Sequence, residues 1–225
     1  KFPFRIRHTV SHQGNKYYFQ QGTPEPFFFT QPTQLVVGFP LNTRKYSNNL
    51  SNTLSLVFDN KSFKLDAGIR YQNIKFGLNE SLLPNLGIPL ELSENRLGAL
   101  GNIQVKLFDK FQLNSFLEVS RGNAFGSYLK TTNNVKFEPI KDYFVDAHVN
   151  FQSAVPSFNY LANTSVYSRY NYYLQDAKNQ TVTDIGGSVN LKWFQTQIFA
   201  NIYRIDNYAY FDAAALPKQS AGSVN

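Results

Sequence analysis

Apolar and polar residues alternate with a period of two along most of this chain. Leu54, Leu56 and Phe58 fall on one side of such a stretch, while Thr53 and Ser55 fall on the other. Successive side chains of a β-strand point to opposite faces of a sheet, so this alternation predicts strands with one apolar and one polar face. No stretch keeps a helical period over several turns. We therefore predict an all-β, antiparallel fold.

Short polar links join the alternating stretches into hairpins. The links are Asp59–Lys61, Asp109–Lys110, Glu138–Asp142 and Phe194–Gln195. The segments between the hairpins are longer, and they cover roughly residues 11–49, 77–96, 121–128 and 152–181. Tight turns at one end and long loops at the other are typical of outer-membrane barrels.

The alternating stretches predict nine strands, the first of which is Phe2–Val10. A tenth strand is left open within Phe158–Tyr173, and another begins at Ser220–Asn225. The predicted fold is an antiparallel up-and-down transmembrane β-barrel with about 9–10 strands in this chain. Since bacterial barrels close with an even number of strands, nine strands leave an edge open. We therefore expect residues 1–225 to be a single-domain fragment of a longer barrel.

The composition excludes several classes of function. No run of 18 or more apolar residues occurs, which excludes a transmembrane helix. The chain has no cysteine, and His8 and His12 would lie about 13 Å apart on a strand, too far to share a metal ion. No nucleotide-binding or hydrolase motif occurs. We therefore predict no enzyme activity, no cofactor and no metal. The net charge of +7 is spread singly, which argues against a nucleic-acid partner.

The polar sides of the strands carry many charged or titratable residues. These residues are Arg5, Arg7, Lys64, Asp66, Arg70, Lys106, Glu118, Lys136, Asp146, His148 and Lys192. On a soluble sheet they would face water. In a barrel they would line the lumen, where the excess of Lys and Arg would weakly favour anions.

Aromatic residues flank the short turns. They are Phe58, Phe63, Phe108, Phe111, Phe137, Tyr143, Trp193 and Phe194. We interpret them as an aromatic girdle at one membrane interface. The alternative is cross-strand pairing that stabilises the ends of the hairpins.

Two other segments are candidates for contacts with a partner. Residues 22–46 form a loop rich in Pro and Phe, in which Phe27, Phe28 and Phe29 are too apolar to remain bare in water. This loop could constrict a barrel or dock a partner. Tyr167, Tyr170 and Tyr172 form an aromatic patch that could stack on sugars, hold a protein, or simply pack within a loop.

Part of the chain resembles a known family. Val155–Tyr160 with Asn163–Ser165, and Ile205–Phe211 with Pro217–Gln219, resemble outer-loop segments of the putative porins of Bacteroidota. The resemblance covers residues 140–225 well and the remainder only by pattern; at Tyr167–Tyr170 a Trp-containing stretch would be more typical. It implies a porin-like barrel in the bacterial outer membrane.

These observations predict a passive channel for small solutes. Its partners would be the lipid bilayer and lipopolysaccharide, together with other outer-membrane proteins if it acts in a complex. Two alternatives from other classes remain open. One is a non-conducting structural barrel of an outer-membrane complex, and the other is a soluble β-sandwich that binds glycans through its tyrosines.

Overall fold

The computed structural model describes residues 4–21, 41–79, 87–164 and 171–225. Their main feature is a ten-stranded antiparallel sheet in which the strands follow one another in chain order. Its strands are β1 (Phe4–Gln21), β2 (Leu41–Asp59), β3 (Phe63–Asn79), β4 (Glu91–Leu107), β5 (Phe111–Gly122), β6 (Ser127–Ile140), β7 (Tyr143–Ala154), β10 (Gln180–Leu191), β11 (Thr196–Asp206) and β14 (Ser223–Val224). The predicted all-β, up-and-down fold is confirmed. Within the described residues the sheet is not closed, and β1 and β14 are its edges.

The remaining elements lie in the connections. A four-residue helix, α1 (Phe158–Leu161), precedes a small sheet of β8 (Ala162–Asn163) and β9 (Tyr172–Tyr173). A hairpin of β12 (Ala209–Phe211) and β13 (Pro217–Gln219) follows β11. A short 3₁₀ helix, Lys192–Phe194, makes the turn from β10 to β11. None of the helices in the described ranges has the length and apolar character needed to cross a membrane.

Several predicted boundaries are wrong, mainly because the strands continue beyond their alternating parts. β1 runs to Gln21 and β2 starts at Leu41, so much of segment 11–49 is strand, including residues 41–46 of the expected 22–46 loop. Residues 22–40 and Phe2 lie outside the described residues. The link between β5 and β6 is a turn of only Asn123–Gly126. Residues 11–21 and 41–49 are mostly polar on both faces, which removes the period-two signal.

The tenth strand of the main sheet is not within Phe158–Tyr173. That segment contributes α1 and the two short strands β8 and β9, which pair only with each other. The tenth strand is β14, which pairs with the end of β11 through Ile205 and Asp206. It lies in the segment Ser220–Asn225, where the alternation predicts that a strand begins.

Burial in the sheet is the reverse of that in a water-soluble protein. On β2, Ser51, Thr53 and Ser55 are buried, whereas Leu54 and Leu56 are 49% and 50% exposed. No second large sheet of the described residues covers the polar face, so its burial means that the main sheet curls around it. We call this polar side the inner face and the apolar side the outer face. On β11, near the edge of the sheet, the side chains of both faces are exposed. Only two residues of β11 pair with β14, so little of the chain covers this strand.

Candidate functional site

The strand register shows which predicted polar residues share a face. Residues directly opposite each other on neighbouring antiparallel strands lie on the same face. Arg7 lies opposite the buried Ser55, and Arg70 lies opposite the buried Thr53. Continuing this register strand by strand puts all of the charged set on the inner face except Lys192. Lys192 lies in the 3₁₀ turn between β10 and β11.

The turn end of the inner face carries a cluster of opposite charges. Arg7 forms an ion pair with Asp66. Asp59 lies 3.7 Å from Arg5 and 3.5 Å from Lys64, measured between side-chain oxygen and nitrogen. The cluster lines a hollow of about 200 Å³. Three cations around two carboxylates leave this hollow with a net positive charge.

A tighter pair lies near the middle of the inner face. Nη1 of Arg70 donates to both carboxylate oxygens of Glu118, at 2.8 and 2.9 Å. Nε of Arg70 donates to the hydroxyl oxygen of Thr53 at 3.1 Å. The two charged side chains are 28% and 8% exposed, so this pair is only weakly screened by water. It ties β2, β3 and β5 together through their inner-face side chains.

A third polar group spans β7, β10 and β11. The carboxylate of Asp184 accepts hydrogen bonds from Asn150 at 3.1 Å and from Asn201 at 3.2 Å, and it lies 3.2 Å from Nε2 of His148. Beside it, the hydroxyl of Ser188 donates to Asp146. Asp146 and His148 were predicted to line the lumen, whereas Asp184 was not, because its neighbours on the same side of the strand, Val182 and Gly186, are not polar.

The inner face contains a buried ion pair near its loop end that the sequence analysis assigned to a loop. Glu94 is 1% exposed and accepts a hydrogen bond from Nε of Arg96 at 2.8 Å. Its other carboxylate oxygen accepts the backbone N–H of Phe125 at 2.7 Å. Gly122 lies directly beside it, and a Cβ there would come within 1.7 Å of Oε1 of Glu94. Glu94 therefore connects the strand β4 to the β5–β6 turn.

The connection after β7 folds back over the loop end of the inner face. The ring of Phe158 in α1 stacks on Phe76 of β3, with ring centroids 5.1 Å apart. Leu161 and Ala162 complete a buried cluster with Leu78 of β3. The strands β4, β5 and β6 separate β7 from β3, so α1 reaches across about 19 Å of sheet, measured at ~4.8 Å per strand. We call residues 155–164 the mouth segment.

The far side of the mouth segment rests on the β12–β13 hairpin. The ring of Tyr160 stacks on Phe211 with centroids 4.9 Å apart. Tyr172 lies 5.8 Å from the same ring and donates its hydroxyl to the backbone oxygen of Asn159 at 2.5 Å. Burial raises the pKa of Tyr172 to about 12. Of the predicted contact residues, Tyr172 is thus a packing residue, whereas Phe27, Phe28, Phe29, Tyr167 and Tyr170 lie outside the described residues.

The predicted aromatic residues lie at the turn end of the sheet. Register puts Phe58, Phe63, Phe111, Phe137 and Tyr143 on the outer face. Phe108, Trp193 and Phe194 project from the turns, at 91%, 87% and 73% exposed. Cross-strand contacts also occur, as between Phe4 and Phe58 at 4.9 Å. The same aromatic residues therefore fit both interpretations, a girdle at a membrane interface and cross-strand pairs at the ends of the hairpins, and neither excludes the other.

Lys192 closes the turn end instead of lying on the inner face. Its ammonium group donates to Asp142 in the β6–β7 turn. This hydrogen bond lowers the pKa of Asp142 and raises the pKa of Lys192. On β6, Lys136 lies 2.9 Å from Glu138, and its ammonium lies 4.5 Å from the ring centre of Phe144.

The described part of the chain holds no recognisable metal centre. Among the described residues, no three His, Asp or Glu side chains come together as metal ligands. The inner face instead offers ion pairs, amides and hydroxyls, with an apolar patch under the mouth segment, while the outer face is mainly aliphatic and aromatic. Such a combination is typical of the sheets of outer-membrane barrels, in which the apolar face meets lipid.

The comparison with protein families agrees with this class. A family model described as "Putative porin" matches residues 1–225. The chain therefore belongs to the putative porin family. No curated protein and no solved structure matches it.

Proposed function

We propose that the protein is a bacterial outer-membrane β-barrel that lets small solutes pass passively along its inner face. The observation that carries this proposal is the inverted burial of β2, where hydroxyl side chains are hidden and leucines are exposed. In water such an arrangement would expose a large apolar surface and would favour aggregation. In lipid it meets the requirement for an apolar outer surface around a polar lumen.

The inner-face residues are proposed to line the solute path. Most of their charges are paired within the face, as in Arg70 with Glu118 and Arg7 with Asp66. Because paired charges present both signs to a solute, they favour small hydrated molecules and do not select strongly for cations or for anions. The turn-end hollow has three cations and two carboxylates, which supports a weak preference for anions there.

The mouth segment is proposed to narrow the path at the loop end. Phe158 and Leu161 cover apolar inner-face residues of β3 and β4, including Leu78 and Leu92. Residues 22–46 were predicted either to constrict the barrel or to dock a partner, and residues 22–40 of them lie outside the described residues. The packing of the mouth segment across the inner face supports residues 155–164 for the constricting role.

Conductance of the full chain in planar bilayers tests the channel. We expect discrete ion currents from the wild-type protein and larger currents from the double variant Phe158→Ser/Leu161→Ser, which loosens the mouth segment. The matched control is Phe199→Ser, an exposed aromatic on the inner side of β11 away from the mouth. Equal currents from the double variant and the wild type would contradict the constriction role.

The same measurement addresses a second candidate function. Apolar packing across the mouth also suits a non-conducting barrel that serves as a scaffold in an outer-membrane complex. In that case neither the wild type nor the double variant would carry current, although both would insert into the bilayer. Insertion without current in both proteins would therefore overturn the channel and favour the scaffold.

A further inference from the structure

The inner face contains two groups of side-chain amides that differ in their contacts. On β7 and β11 the amides are bonded within the protein: Asn150 and Asn201 donate to Asp184, and Gln197 donates to Ser188. On β4, β5 and β6, within the described ranges, the inner-face amide side chains have no hydrogen-bond partner. They are Asn102, Gln104, Gln112, Asn114 and Asn134. We call these five residues the amide patch.

The strand register brings the amide patch together. Gln104 lies opposite Asn114, and Asn114 lies opposite Asn134 on the next strand. Asn102 and Gln112 are each two positions from these residues and share their face, because successive side chains of a strand alternate. The patch therefore extends about 10 Å across three strands and about 14 Å along them. That area is large enough for one dipeptide.

The amide patch is accessible from the space in front of the inner face. Asn114 and Asn134 are exposed, and the other three amides are half-buried. Asn102 and Gln104 also line the turn-end hollow of about 200 Å³. Each carboxamide has an N–H₂ donor and a carbonyl acceptor. A solute beside the patch therefore meets paired donors and acceptors that no other group in the described ranges occupies.

A lysine without a partner borders the patch. Lys106 lies opposite Gln112 and two positions from Gln104, so its side chain is on the inner face beside both amides. It is exposed, and no carboxylate in the described part of the chain forms an ion pair with it. The neighbouring Lys64 and Lys136, in contrast, have carboxylates at 3.5 and 2.9 Å. The ammonium of Lys106 is therefore available to a carboxylate of a solute.

We infer that the amide patch and Lys106 form a binding site for a dipeptide along the solute path. The carboxamides pair with the peptide group of the ligand, since each partner has one donor side and one acceptor side. The ammonium of Lys106 binds the C-terminal carboxylate by a charge-assisted hydrogen bond. The ring of Phe116, opposite Asn102, provides an apolar contact for a side chain of the ligand. This inference rests on the proposed channel, which gives solutes access to the inner face.

A peptide fits this site better than a sugar does. A neutral sugar has no group for Lys106 and leaves it unpaired. A sugar acid supplies the carboxylate, but its remaining groups are hydroxyls, which rotate. A planar peptide group instead holds its donor and acceptor in fixed positions, so the carboxamides engage it with less ordering. A sugar acid is therefore the competing solute in the test.

The test is isothermal titration of the full chain in detergent with alanyl-alanine, which measures binding without any current. We expect Lys106→Met to weaken binding about tenfold, the equivalent of losing one charge-assisted hydrogen bond. The double variant Asn114→Ala/Asn134→Ala should weaken binding about fivefold, since two neutral hydrogen bonds are lost. These three side chains contribute no hydrogen bond or ion pair to the described part of the fold, so the variants should fold like the wild type.

Two variants and one altered ligand serve as controls. Gln197→Ala removes an inner-face amide that is already bonded to Ser188, and it should bind like the wild type. Lys110→Met removes a lysine of the β4–β5 turn, and it should also bind like the wild type. Alanyl-alanine amide lacks the carboxylate. It should bind wild type and Lys106→Met equally, about ten times more weakly than alanyl-alanine binds wild type.

The outcomes separate the site, the ligand and the channel. Unchanged affinity for alanyl-alanine in either Lys106→Met or the double variant would overturn the site. Galacturonate that binds the wild type as tightly as alanyl-alanine would overturn the assignment to peptides. A wild type that carries no current in bilayers but loses affinity on substitution of Lys106 would refute the channel alone. Current in the wild type with the same affinity in every variant would refute the site alone.

Discussion

The Arg70–Glu118 pair gives the sharpest prediction for stability. Glu118→Gln replaces a carboxylate that accepts two contacts from Nη1 of Arg70, at 2.8 and 2.9 Å. Both contacts come from one nitrogen, so we count them as one charge-assisted hydrogen bond, worth about 1.5–3 kcal/mol. The carboxylate side chain is 8% exposed, and water therefore replaces it poorly. We expect the variant to lose about 2 kcal/mol of its free energy of unfolding.

The assay is a double-mutant cycle with Arg70→Gln, measured by urea unfolding from lipid vesicles. Fluorescence of Trp193, the single tryptophan, reports the transition. The cycle isolates the interaction between the two side chains, which we expect to be about 2 kcal/mol. As a control, the same cycle on Lys64 and Asp59 should give less than about 1 kcal/mol, since that pair is 3.5 Å apart and exposed. An Arg70–Glu118 coupling no larger than the control value would refute the reasoning.

Three further predictions concern other parts of the chain and use the same unfolding assay. Gly122→Ala should lower the free energy of unfolding by about 1–3 kcal/mol, because the added Cβ would collide with the buried Glu94. The control is Gly101→Ala, which has open space around it and should be near neutral. Asp109→Gly should add about 1 kcal/mol, since Asp109 has a φ of 53° in the β4–β5 turn; unchanged stability would contradict this. The raised pKa of Tyr172 means that the folded protein keeps this proton between pH 10 and about 12 while the unfolded chain releases it, so stability falls across that window. Tyr172→Phe should remove that part of the fall, and an identical pH profile in the variant would refute the assignment.

The sequence was sufficient where each strand has one polar and one apolar face. The hairpin around Asp59–Lys61 is an example, because Leu54 to Tyr71 alternate apart from Val57 and the turn. The alternation is lost where both faces are polar. The second half of β1, Ser11–Gln21, is mostly polar throughout, so its pairing with β2 could not be predicted from periodicity.

The inner face was predictable as a set, but its contacts were not. Alternation put Arg70 and Glu118 on polar faces, yet they are 48 residues apart, and their side chains meet by reaching across β4, which lies between their strands. The burial of Glu94 and the packing of the mouth segment were not predicted for another reason. Glu94 is held by the turn after β5, and the mouth segment by the chain after β7 folding back over the sheet. Such long-range packing leaves no periodic signal in the sequence.

The central claim is that the inner face meets water while the outer face meets lipid. The chain has no cysteine, so single substitutions can report this directly. Asn102 is on the inner face and Ile103, the next residue, is on the outer face. In lipid vesicles, we predict that a water-soluble maleimide labels Asn102→Cys and leaves Ile103→Cys unlabelled, while a lipid-soluble maleimide shows the reverse preference. Labelling of Ile103→Cys by the water-soluble reagent as fast as Asn102→Cys would contradict the account.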